Sequence, residues 1–64
     1  MRETELWRRV HLHLGATYAR SWADQTALSA IGSRTVTEAI RDGVPFRLIW
    51  EAAWSVLELP ASER

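Results

Sequence analysis

Between Phe46 and Leu59 the chain is apolar around most of its circumference when it is coiled as a helix, and this segment decides what the remaining residues must do. On a wheel of about 100° per residue, Phe46, Ile49, Trp50, Ala53, Trp54, Val56 and Leu57 fill one broad sector, and Ala52 and Leu48 widen it. Only Arg47, Glu51, Ser55 and Glu58 form a wet stripe. A helix of this kind has to be enclosed by its own domain or lend part of its surface to another chain. The other segments are therefore expected to wrap around it as around a pillar.

They have little material to do so. A chain of 64 residues makes a single domain, here expected over 1–64, and one this short buries only about 60% of the surface its unfolded chain exposes. There is no cysteine, so no disulfide or zinc-thiolate site can help, which fits a reducing cytoplasm. Large aromatics must supply the core. The four tryptophans, Trp7, Trp22, Trp50 and Trp54, can together remove on the order of 800 Å² from water.

Eight basic residues, all arginine, balance eight acidic ones. Proteins that bind nucleic acid through counterion release usually carry a basic surplus, so a neutral chain points away from that class. Membrane insertion is not expected, because no apolar run approaches the roughly 20 residues that span a bilayer. Arg8, Arg9, His11 and His13 also occupy positions where a signal peptide needs an apolar stretch.

Along the chain, Thr4 is placed to cap a first helix that Gly15 ends in the left-handed conformation, with Leu6, Trp7, Val10 and Leu14 on its inner stripe and Leu12 among the charges outside. A second helix is expected from about Thr17 to Asp24 with Tyr18, Ala19, Trp22 and Ala23 on one face. The phase slips near Asp24, which predicts a separate turn or short helix around Thr26 to Ile31, stopped by Gly32. Thr35-Val36-Thr37-Glu38 is a capping box and opens a third, short helix with Val36, Ala39 and Ile40 inward, closed at Gly43. Pro45 suits the first position of the last helix, predicted to run to about Leu59 before Pro60, with a frayed tail over 61–64.

Side chains that carry chemistry are sparse. His11 and His13 lie two apart on a helix and point in divergent directions, so they cannot share a metal ion and read as two surface histidines. The five serines stand in no nucleophile setting, and the three glycines are spaced as helix stops. No catalytic, cofactor or metal residue is expected, and the chain reads as non-enzymatic. The helix, glycine turn and helix over residues 35–58 is similar to a helix-turn-helix. Its second helix, however, offers Pro45, Phe46, Arg47 and Leu48 where a recognition helix presents hydrogen-bonding side chains, and only Arg47 can donate.

Several features occur together: Trp7-Arg8-Arg9, Tyr18-Ala19-Arg20-Ser21-Trp22-Ala23, Arg34-Thr35-Val36 with Glu38-Ala39-Ile40, Gly43-Val44, Trp50 and Pro60. In this the chain resembles, over nearly its whole length, a family of short actinobacterial proteins known only as a domain of unknown function. The resemblance implies no activity, cofactor or site. It implies a gene neighbourhood shared with the recombinase RecA and its regulator RecX, and hence a role beside DNA repair. The sequence departs from that pattern at Pro45-Phe46 and at Trp54, where a smaller residue, often cysteine, is usual; both departures add apolar bulk to the last helix.

These features together predict an all-α bundle of four to five short helices acting by docking onto a protein partner or onto itself as a homodimer. Leu48, Trp54 and Leu59 with Arg47 form the expected contact surface. The second reading is a helix-turn-helix-like accessory factor that holds nucleic acid through Arg34, Arg41 and Arg47.

Overall fold

The structure, a computed structural model describing residues 1–64, contains four α-helices: α1 (Glu3–Leu14), α2 (Ala16–Gln25), α3 (Val36–Arg41) and α4 (Phe46–Val56). Short 3-10 turns at Ser29–Ile31 and Ala61–Glu63 complete it. Each helix packs on the next in sequence, and α4 returns to α1, so the four close a ring; α4 also touches the Ser29–Ile31 turn. The pillar role expected of the last helix is realised, since α4 meets both α1 and α3 and contributes Ile49, Trp50, Ala52 and Ala53 to the core. The core is one cluster of 12 buried residues, all apolar, with Leu6 and Val10 from α1, Ala19, Trp22 and Ala23 from α2, Leu28 from the connection, and Val36 and Ala39 from α3. No helix is long and apolar enough to cross a membrane.

The first helix begins two residues earlier than its sequence signal. Thr4 is already helical; Arg2 occupies the cap position without a side-chain bond, and its carbonyl accepts from Glu5 and Leu6. Glu3 and Glu5 in the first turn supply the negative charge that suits this end of the helix. At the other end a single residue, Gly15, joins α1 to α2. Its N–H reaches the His11 carbonyl at 2.8 Å while its own carbonyl accepts from Ala19 at 2.9 Å. The backbone there is at φ 83 and ψ 147, outside the expected left-handed helical region and in a region open almost only to glycine. A Cβ would meet nothing within 4 Å, so the backbone angle, not crowding, requires glycine at this joint.

Tyr18, expected inside, is 57% exposed. The inner face of α2 is narrower than its sequence pattern, since Ala19, Trp22 and Ala23 are its only buried residues. Beyond Gln25 the predicted slip in phase appears as extended backbone at Thr26 and an isolated bridge between Leu28 and Arg34, which buries Leu28. The capping box is present: Thr35 Oγ1 accepts from the Glu38 N–H at 3.1 Å and Glu38 Oε1 accepts from the Thr35 N–H at 2.9 Å. Gly43 ends α3 with φ 80, where the Val44 N–H reaches Ala39 O and the Gly43 N–H reaches Ile40 O, a paired closure that calls for a left-handed residue.

Three expectations for the C-terminal third are corrected. Pro45 is the cap of α4, extended at ψ 135, with its carbonyl accepting from Leu48 and Ile49; it is not the first helical residue. The helix stops at Val56, about a turn early, because Glu58 adopts φ 54 and the same paired closure forms from Glu58 N–H to Ser55 O and Leu59 N–H to Trp54 O. The segment 61–64 does not fray but turns back onto the body of the protein. The radius of gyration of 10.4 Å matches the about 10.7 Å of a compact chain of this length, which leaves no trailing tail.

Two substitutions test these closures by thermal or denaturant unfolding. Thr35→Ala removes one half of the capping box and is expected to cost about 1 kcal/mol. Glu58→Gly removes the side chain that disfavours a left-handed backbone and is expected to stabilise by roughly 1 kcal/mol. Loss of stability in Glu58→Gly would show that Glu58 is not held in that conformation.

Candidate functional site

The surface predicted for docking divides in two. Leu48 lies outside at 49% exposure, whereas Trp54 and Leu59 are half-buried and packed against the core. Both are thus less exposed than the sequence reading expected of contact residues, and the reason is the tail. Trp54 Nε1 donates to Pro60 O at 2.9 Å, and the Arg64 guanidinium lies 5.3 Å over its ring. Trp50 Nε1 is 3.2 Å from Glu63 O and 2.9 Å from Arg64 O. From α1, Arg9 Nη1 donates to Arg64 O at 3.1 Å while its guanidinium lies 5.5 Å over the Trp50 ring. His13 stacks on Trp50 with ring centres 5.9 Å apart and places Nε2 3.6 Å from a Glu63 carboxylate oxygen.

Sequence reasoning missed this cluster of Arg9, His13, Trp50 and the tail, although a signal for it exists. A buried indole N–H needs an acceptor, and the carbonyls of α4 are largely committed to their own helix, so the acceptors had to come from a non-helical segment. Pro60, Glu63 and Arg64 supply them. Arg9 and His13, four apart, share one face of α1, which explains why His13 is half-buried against expectation while His11 stays outside beside Trp7 at 6.0 Å.

With the tail in place, the large apolar side chains left outside are Met1, Leu12, Tyr18, Leu48 and Val56. Leu48 and Val56, 49% and 45% exposed, stand eight residues apart on α4 with the buried Ala52 between them. Residues four apart form a ridge along a helix, so these three make one row about 12 Å long with a low centre. The wet stripe beside it carries Arg47, paired with Glu51 at 3.3 Å, and Ser55. Leu12, 66% exposed, is on α1. No pocket indents the surface.

The three arginines of the nucleic-acid reading each hold a carboxylate. Arg34 Nε lies 3.2 Å from Asp42, and its Nη1 donates to Ile31 O at 2.9 Å; Arg41 Nε reaches the other oxygen of Asp42 at 3.3 Å. Two cations on one carboxylate hold Asp42 below the ordinary aspartate range, with the bond from Arg34 the larger cause. Arg34 and Arg41 therefore converge, but on an internal acid, and Arg47 on α4 is paired separately with Glu51. Elsewhere Arg20 lies over Trp7 at 5.0 Å with Asp24 at 3.8 Å, and the Thr37 hydroxyl bonds the Asp24 carboxylate, tying α2 to α3.

The most perturbed acid is Glu5, which accepts from Arg8 at 2.6 Å and Arg9 at 2.8 Å and is lowered to about 2, chiefly by the Arg8 bond. The unfolded chain takes up this proton near 4.5 and the folded chain only near 2, so the stabilising contribution is complete above 4.5 and is lost as pH falls toward 2. Acid titration of stability is expected to show a slope in this window that Glu5→Gln reduces. An unchanged slope in the variant would mean that the Arg8 and Arg9 pairs do not favour the folded chain.

In comparisons with known proteins, no curated protein and no solved structure matches this chain. One family model, described as a protein of unknown function (DUF3046), matches residues 1–62, all four helices and the capped end of α4 included. The chain therefore belongs to the DUF3046 family, in agreement with the resemblance to a domain of unknown function read from its sequence.

Proposed function

We propose that this protein is a non-catalytic interaction module of the cytoplasm that offers the exposed Leu48 and Val56 of α4 to a helix of a partner protein. The observation that carries this reading is the row itself: two exposed aliphatic side chains in register on one helix, separated by a small residue. Single exposed apolar residues are ordinary, and Leu12 or Tyr18 needs no explanation. Leu48 and Val56 lie two turns apart on the ridge of residues spaced in fours with which helices interdigitate, commonly crossing near −50°, and Ala52 between them is small and buried, so no side chain fills the gap. Arg47, Glu51 and Ser55 give it a polar rim on one side.

The contact is small, since two large side chains form its apolar part, so the association is of the weak, transient class. Reading nucleic acid through Arg34, Arg41 and Arg47 is disfavoured on electrostatic grounds. Contact with a phosphate would first require breaking the pairs with Asp42 or Glu51, and those acids would then face the phosphate backbone. The gene neighbourhood implied by the sequence resemblance makes RecA and RecX the first partners to test, which would place the module beside DNA repair.

Titration of each purified candidate with the wild-type chain and the variants Leu48→Glu, Val56→Glu and Leu12→Glu tests the row. A carboxylate placed in an apolar contact is left unpaired, so Leu48→Glu and Val56→Glu are expected to weaken binding at least about tenfold. Leu12→Glu should bind as the wild type does, and all three variants should keep the wild-type melting temperature within a few degrees. A partner retained equally by all four proteins would remove the row from its interface.

A further inference from the structure

The tail is held in a way that does not require it to belong to the same molecule. We propose that the segment from Leu59 to Arg64 exchanges between two copies of this chain at high concentration, each tail docking on the Trp50 and Trp54 face of the other. The polar attachments join the tail to α1 and α4: Trp54 to Pro60 O, Trp50 to Glu63 O and Arg64 O, Arg9 to Arg64 O, and His13 beside Glu63. Every one of them can form unchanged with a tail supplied by a second copy.

The hinge favours exchange. Glu58 is a non-glycine residue held at φ 54, and short connections under strain are the places where proteins swap elements. If α4 simply continues, the Glu58 N–H passes from Ser55 O to Trp54 O and the Leu59 N–H from Trp54 O to Ser55 O. The number of hydrogen bonds is conserved and the positive φ is relieved. Pro60, which has no N–H and clashes with the carbonyl four residues back, stops the extension there. The opened tail then points along the helix axis, while its own Trp50 lies ten residues back, about 15 Å in the opposite direction. It can no longer reach that indole, whereas the tail of a copy lying antiparallel can. Val56, 45% exposed on the last turn before the hinge, lies where two such copies would meet. The exchange shares Val56 with the proposed docking surface but does not involve Leu48.

Sedimentation across the micromolar to millimolar range, with acrylamide quenching of the indoles, tests the exchange in the wild type, Glu58→Val and Glu58→Gly. Valine resists the left-handed backbone at both hinges of a dimer, so Glu58→Val should dimerise at least about tenfold more tightly than the wild type. Glu58→Gly should dimerise several-fold more weakly. The indoles should remain shielded in the dimer, and Leu48→Glu added to Glu58→Val should leave the dimer intact. A Glu58→Val monomer with shielded indoles would overturn the proposal, because the tail would have stayed at home; one with exposed indoles would do so because the tail is merely lost. Equal dimerisation of the valine and glycine variants would place the contact elsewhere. Should Glu58→Val fail to fold, the wild type must still exceed Glu58→Gly in dimer content at the highest concentration, and equality there would overturn the exchange.

Discussion

The fold depends on how one indole is satisfied. Trp50 is fully buried, and its N–H must find an acceptor that α4 does not provide. The carbonyls of Glu63 and Arg64 fill that need, and in doing so they draw the tail across α4 and against Arg9 and His13 of α1. A single polar obligation in the core thus fixes the relation of three segments distant in sequence. For a chain with no disulfide and no buried charged or polar side chain, this clasp stands in for a crosslink.

The same clasp accounts for the apolar excess of α4. A helix with so wide an apolar sector looked unable to be covered by three short helices, and three helices alone do not cover it. The ring of four helices encloses Ile49, Trp50, Ala52 and Ala53, and the tail then covers much of Trp54. What remains outside is narrower than the sequence implied: one row with Leu48 and Val56 at its ends. The arginines follow a similar economy. Arg9, Arg20 and Arg64 lie over tryptophan rings, and Arg34, Arg41 and Arg47 hold acids, so cations that look free in the sequence serve local structure.

Most of the helical framework was legible in the sequence because its signals are local. The capping box at Thr35 and Glu38, the slip in phase after Asp24 and the stop at Gly43 each depend on residues within one or two turns, and each appears where its chemistry places it. Thr4 misled because acids in a first turn can do the work of a cap, and Tyr18 because periodicity registers an aromatic ring without saying how wide the neighbouring helices are. The end of α4 was hidden by a glutamate adopting a conformation usually left to glycine. The contact surface was the least legible part. Whether Trp54 is free or covered depends on a tail whose docking is a long-range event, and only the unmet need of the indoles announced it.

The ring also sets an order of events during synthesis. Consecutive helices can pair as they are made, but α1 keeps one flank open until α4 arrives, and Arg9 and His13 receive their last partners only when Glu63 and Arg64 have been added. The α1 side of the bundle is therefore among the last parts to be sealed. Closure of the bundle thus waits for α4 and the segment 59–64, contacts that are distant in sequence and therefore slow to form.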